Sequence, residues 1–261
     1  MYINSFNAAI HTQYNNRYFT PVSNSVKMEN QPMIYQYRTN GNTNSVNNFW
    51  QYQNYYGMNN QIYYNQELIN NTQLGYSILN DFKIQFPCLE SYTMTDALAR
   101  KMKKTNPNSL VTIQMKTKSD ILFKKMIGLL EKRPDYKSIT FDEYLNIVKN
   151  EFRNENHGNC GERAYLVYDK LNKLGLKNHT IVEIGGKENY NSHVFNVIGL
   201  APNAIINRPE TWGNSAIVID TWANKCCKPN EALAFYHDFL EYGQDNPMQF
   251  KILDVKKIFK Q

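Results

Sequence analysis

Between Leu174 and Thr180 the apolar pattern of this chain changes period, and that switch limits it to folds in which a helical half precedes a sheet half. Before the switch, Ala164, Val167, Tyr168, Leu171 and Leu174 recur every three or four residues, the spacing of one helix face, and Gly175 supplies a stop. After it, Thr180–Gly185, His193–Ile198 and Ala216–Ile219 are short, rich in β-branched residues and bounded by Gly, Asn or Pro. A helix is therefore expected over 161–174, followed by three strands. Glu231–Glu241 reads as a further helix and Phe250–Val255 as a last strand. Helices first and antiparallel strands afterwards define the α+β class.

Upstream of that point the signals are helical throughout. Leu68, Ile69, Leu74, Ile78 and Leu79 share a broad apolar face from about residue 67. Thr95-Asp96 is the expected cap of a helix through Met102, and Ser119-Asp120 of one through Glu131, with Pro134 just beyond. Thr140-Phe141-Asp142-Glu143 matches a capping box, in which the Thr hydroxyl and the Glu carboxylate reciprocally satisfy free backbone donors. Tyr144, Leu145, Val148 and Phe152 continue that helix.

The first 80 residues differ in composition, being dominated by Asn, Gln, Tyr, Ser and Thr with only Arg17, Lys27, Glu29, Arg38 and Glu67 charged. Too few aliphatic side chains are present to offset the entropy of ordering such a segment. The expected organisation is a mostly disordered arm over 1–80 and a catalytic domain over 81–261. An uncharged polar arm also resembles the translocation signals of bacterial effectors injected into host cells. The opening ten residues, Met1–Ile10, lack the basic and apolar regions of a secretory signal, so standard secretory export is not expected; what the resemblance implies instead is delivery by a specialised bacterial system into the host cytoplasm.

Composition removes several function classes. No apolar run approaches the ~20 residues needed to span a bilayer, and the mean hydropathy is -0.61. The net charge of +6 is concentrated in lysines between Lys101 and Lys137 and comes with no nucleic-acid-binding module. The four cysteines, Cys88, Cys160, Cys226 and Cys227, form no CxxC pair and lack zinc-site spacing, which points to a reduced compartment and no metal. Gly185-Gly186 lacks the lysine and hydroxyl of a phosphate-binding loop, and no cofactor is expected. The chain is expected to be a monomer acting on a protein.

Cys160 carries the chemistry. It lies in Asn156-His157-Gly158-Asn159-Cys160-Gly161-Glu162, a polar, glycine-flanked turn leading straight into the 161–174 helix. A thiol is useful as its anion, which a helix N-terminus stabilises through unpaired N–H groups and the positive dipole end. His193, at the start of a strand, is the preferred base over His11, His157, His179 and His237 because a sheet can hold its ring beside the helix. His157 is a candidate substrate-contact or tuning residue. Asp220 ends an apolar strand, where a carboxylate can orient the imidazole and favour its charged form. Trp222 is a candidate either to cover the His–Asp hydrogen bond or to fill the core.

These residues, over roughly 150 to 225, resemble the papain-like Cys-His-Asp enzymes among bacterial effectors and toxins. That group includes thiol proteases and glutamine deamidases and is related in layout to transglutaminases. The resemblance rests on Gly158-Asn159-Cys160-Gly161-Glu162, His193-Val194-Phe195 and Val218-Ile219-Asp220-Thr221-Trp222. It implies a papain-like fold, a nucleophile at Cys160, a base at His193 and an orienting acid at Asp220. Such enzymes often carry a Gln about six residues before the cysteine as an oxyanion donor; this chain has Asn154 there, with the Cys160 backbone N–H as the other donor. The expected function is a thiol-dependent acyl-transfer hydrolase acting on a host protein, first a glutamine deamidase. A cysteine protease, a transglutaminase and a non-catalytic host-binding protein on the same scaffold remain open.

Overall fold

The computed structural model describes residues 47–186, 192–240, 242 and 247–261, with side chains from residue 66 onward. The described residues are α+β. Five helices come first: α1 (Asn47–Gln85), α2 (Tyr92–Thr105), α3 (Leu110–Leu130), α4 (Phe141–Glu155) and α5 (Cys160–Lys173). Next come β1 (His179–Gly185), β2 (His193–Ile198), β3 (Ile217–Asp220), β4 (Lys225–Cys227), α6 (Pro229–Phe239), β5 (Gln249–Ile252) and α7 (Val255–Ile258). The five strands form one antiparallel sheet in the order β4-β3-β2-β1-β5.

The helix ends follow local chemistry. At α4 the expected capping box is present: Glu143 N–H donates to Thr140 Oγ1 at 3.3 Å, and Thr140 N–H donates to the Glu143 carboxylate at 2.7 Å. α5 stops where Gly175 takes φ 73°, a left-handed conformation that suits glycine. Two expected starts are corrected. α2 begins at Ser91, whose hydroxyl accepts from Met94 N–H, and α3 at Ser109, whose hydroxyl accepts from Thr112 N–H. Thr95-Asp96 and Ser119-Asp120 lie inside these longer helices. There Ser119 Oγ donates to Asp96 Oδ1 at 3.2 Å, so the polar groups read as caps tie α2 to α3.

The boundary expected at residue 80 is also displaced, because α1 runs through it. Ile78, Leu79 and Phe82 are buried in the main core, and Asn71 Nδ2 donates to Ser215 O at 2.9 Å. The polar composition of this stretch conceals a few apolar residues at helical spacing that tertiary burial secures, each fully buried one contributing about 1.5–3 kcal/mol. The disorder expected for residues 1–46 lies outside the described residues; the backbone from 47 onward is helical.

β2 and β3 are buried at every position, which accounts for their continuous apolar runs. α5 lies across β1 and β2, and Asn196 Nδ2 of β2 donates to Ala164 O of α5 at 3.1 Å. Phe195 stacks on Tyr236 of α6 with ring centroids 5.1 Å apart. β4, not expected from the sequence, returns along β3 after Asn224, which takes φ 54°. The last strand ends at Ile252, three residues earlier than expected, because Asp254 caps α7 through Lys256 N–H. No helix among the described residues is long and apolar enough to cross a membrane.

Candidate active site

Cys160 is the first residue of α5, and the turn before it is fixed from several sides. Asn156 ends α4 in a left-handed conformation, and its carbonyl accepts from Glu90 N–H at 2.8 Å. Gly158 N–H returns the favour to Glu90 O at 2.9 Å. A Cβ at Gly158 would sit 2.3 Å from the Phe152 ring, so only glycine fits against that buried side chain. Asn159 N–H donates to Glu162 Oε2 at 3.1 Å. Glu162 is in turn held by Arg133 Nη1 at 2.7 Å, and Arg133 Nε reaches Glu151 at 3.0 Å. With Arg133 only 6% exposed and the carboxylates 11%, this ion triad anchors the start of α5 from within the protein.

His193 opens β2. The β2–β3 register pairs Asn196 with Ile219 and Ile198 with Ile217. Continued outward, it sets Asp220 beside Phe195, on the same face as His193 and one diagonal away. His193 Nε2 and Asp220 Oδ2 are 2.8 Å apart, with both side chains 1% exposed. The Cys160 side chain lies close enough to the ring to help raise its pKa. Since Nε2 is engaged with Asp220, Nδ1 is the nitrogen left for sulfur.

Asp220 is surrounded by donors. Its Oδ1 accepts from Trp222 N–H at 2.8 Å and Ala223 N–H at 3.0 Å, and its Oδ2 accepts from Tyr236 Oη–H at 2.7 Å besides facing His193. Burial alone would raise the carboxyl pKa; His193 and these hydrogen bonds outweigh it and hold Asp220 below the usual range. Burial likewise pushes the His193 imidazole down, but the charge and hydrogen bond of Asp220, joined by Cys160, carry it up to about 9. At neutral pH the pair is therefore imidazolium and carboxylate. The Trp222 ring lies 4.4 Å from the His193 ring, centroid to centroid, and that of Tyr236 4.8 Å away, so aromatic surface shields the pair.

The structure thus brings Cys160, His193 and Asp220 into one cluster. It does not bring Asn154 there: that side chain is exposed in the last turn of α4 and makes no hydrogen bond among the described residues, because the helix turns it to solvent. His157 is buried with no partner for Nε2 among the described residues, and desolvation lowers its pKa. His179 packs edge-on against Tyr168 and His237 lies on α6, while His11 falls outside the described residues. Burial pushes the thiols of Cys226 and Cys227 up to about 12 and about 11, and all four cysteines are free.

Three contributors escape sequence reasoning. Arg163, 8% exposed, donates from Nε to Gly158 O at 2.9 Å, from Nη1 to Thr221 O at 3.1 Å and from Nη2 to Leu89 O at 3.1 Å. It thereby joins the turn before Cys160 to the turn after Asp220. Desolvation lowers it to about 10, against the opposing charges of Asp220, Cys160 and Glu162, so it stays cationic at neutral pH. Its signal in the sequence is a charged residue adjoining the apolar stripe of α5. Tyr236 is the second, signalled by a hydroxyl on the buried face of α6 that needs a partner. The third is the pair Ser91 and Thr93, whose hydroxyls accept from Trp222 Nε1–H at 2.9 and 3.0 Å. Nothing local in the sequence ties that pair to an indole about 130 residues away. The chain matches no family model, no curated protein and no solved structure, so these side chains and their geometry are what bear on its function.

Proposed function

We propose that this chain is a thiol-dependent acyl-transfer enzyme of papain-like layout, with Cys160 as nucleophile, His193 as acid and base, and Asp220 as the group that orients His193. The observation that carries the reading is the buried His193 ring, 2.8 Å from Asp220 and near enough to Cys160 at the N-terminus of α5 for that side chain to help raise its pKa. A bland structural cysteine has no need of a buried, charged imidazole.

In the proposed reaction, Cys160 Sγ attacks the carbonyl carbon of a carboxamide and the π electrons move to oxygen. Collapse of that intermediate breaks the C–N bond, and the proton held by His193 leaves with nitrogen. For a glutamine side chain the product is ammonia and a γ-glutamyl thioester. Water then attacks the thioester, its proton passing to His193, and Sγ leaves as glutamate is released. Glutamine deamidation of a host protein, reached by delivery into host cytoplasm, is the favoured outcome. Peptide cleavage and transglutamination share the same thioester and differ only in leaving group or acceptor.

The test is incubation of host-cell extract with the wild-type chain and with Cys160→Ala, followed by peptide mass mapping. Conversion of glutamine to glutamate at defined sites with wild type alone is the expected result. New peptide termini or cross-linked peptides would identify a protease or a transglutaminase. An effect on host cells fully retained by Cys160→Ala would replace the enzyme with a binding protein on this scaffold.

A further inference from the structure

We propose that the side-chain amide of Asn159 is the oxyanion donor of this site, taking the place that the spacing of the sequence gives to Asn154. The inference deepens the acyl-transfer reading and rests on it. Its basis is a cluster of hydrogen bonds in which the indole and backbone N–H groups are obligatory donors. An indole N–H only donates, and Trp222 Nε1 lies 2.9 Å from Ser91 Oγ and 3.0 Å from Thr93 Oγ1, so both hydroxyl oxygens accept from it. Ser91 Oγ also accepts from Met94 N–H at 3.4 Å. Its own proton goes to Asn159 Oδ1 at 3.0 Å. The Thr93 backbone N–H points to the same oxygen at 3.4 Å. Donors on that side settle which end of the amide is oxygen. The NH2 group is turned the other way.

That NH2 group has no acceptor among the described residues, and although Asn159 as a whole is only 9% exposed, its nitrogen is not among the fully buried unpaired atoms, so it faces accessible space. An amide donor left open on an otherwise buried residue is free to bind a substrate oxygen, and it belongs to the residue directly before the nucleophile. The N–H of Cys160, at the first position of α5, has no acceptor within its helix either. The two donors make a pair of the kind that stabilises the oxygen of a tetrahedral intermediate. The same network explains why the donor is held still. The Trp222 backbone N–H binds Asp220 while its indole Nε1 orients Ser91 and Thr93, so the acid and the oxyanion donor are tied to one residue.

A short peptide aldehyde and iodoacetamide separate this role from a structural one. The aldehyde adds to Cys160 as a hemithioacetal, forming a C–S bond and placing charge on oxygen; iodoacetamide alkylates sulfur by displacing iodide and places none on a carbonyl. Asn159→Asp keeps an oxygen for Ser91 and Thr93 and replaces the N–H donors by a charged acceptor, and Asn159→Ala removes both without adding charge. In both variants the aldehyde Ki is expected to rise about 100-fold, while the rate and pH profile of Cys160 alkylation in Asn159→Ala match wild type. Aldehyde affinity within about twofold of wild type in either variant would overturn the assignment, since a lost donor of this kind costs about 100-fold. So would the absence of any aldehyde adduct on wild-type protein whose Cys160 alkylates fully. Failure of wild-type Cys160 to alkylate at all would instead overturn the acyl-transfer reading.

Discussion

Replacing Asp220 by alanine is expected to destabilise the protein by about 3–5 kcal/mol, the usual cost of removing one partner from a buried ion pair. It strips His193, the Tyr236 hydroxyl and the N–H groups of Trp222 and Ala223 of their common acceptor at once. Asp220→Asn is the finer probe, because it keeps an oxygen for the two N–H groups but loses the charge that holds His193 up. The imidazole should then be neutral at pH 7 and unable to protonate a leaving group; under the proposed function, turnover should fall by about four orders of magnitude, as in established Ser-His-Asp triads. The pH dependence has a definite sign. His193 is raised from 6.5 to about 9, so its contribution is fully present below pH 6.5 and is lost as pH rises through about 9. Asp220 is depressed, so its contribution is present above its ordinary value and is lost as pH falls. Thermal melts of wild type should decline through pH 9, and melts of Asp220→Ala should lack that step. An Asp220→Ala protein as stable as wild type, or one retaining the alkaline step, would contradict the geometry.

Arg163→Met is the second large effect. Methionine fills much of the same volume but leaves the carbonyls of Gly158, Thr221 and Leu89 without their donor. Each charge-assisted bond of this kind is worth about 1.5–3 kcal/mol. Against that loss stands the relief of no longer burying a cation, which is real because desolvation already lowers this group to about 10. The three bonds outweigh the relief, and a net loss of about 2–4 kcal/mol in urea melts is expected. Because Arg163 joins the Cys160 and Asp220 turns, the reactivity of Cys160 should fall as well. Arg163→Lys, with one ammonium in place of a planar fork, should recover only part of both. A change within about 0.5 kcal/mol for Arg163→Met, the range of an ordinary surface substitution, would show that the turns hold without it.

How far the sequence exposes this arrangement depends on the range of the forces involved. Where a few neighbouring residues decide the outcome, the reading succeeds: the Thr140 capping box, the Gly175 stop and the His193–Ile198 strand are all present as expected. Cys160, His193 and Asp220 stand out because each is a reactive residue at the end of a regular element. Failures occur where a partner distant in sequence overrides local composition. Ser119 resembles a cap until Asp96 claims its hydroxyl, and the Asn-rich stretch before residue 80 resembles a loose arm until the core takes in Ile78 and Leu79. Asn154 has the expected spacing but faces solvent, because one helical turn fixes direction as well as distance. Arg163 and the Ser91–Thr93 pair act through backbone carbonyls and an indole more than 50 residues away, links that no local pattern records.

The central claim is that His193, held charged by Asp220, makes Cys160 the reactive thiol of the chain. Its most direct test is the rate of Cys160 carbamidomethylation by iodoacetamide between pH 5 and pH 10, resolved from the exposed Cys88 by peptide mapping, in wild type and in His193→Asn. The expected result is that wild-type Cys160 outpaces Cys88 at pH 6 to 7 and changes its rate as the imidazolium titrates near 9, and that His193→Asn removes both behaviours. A Cys160 slower than Cys88 at neutral pH, or a profile unchanged by His193→Asn, would contradict it.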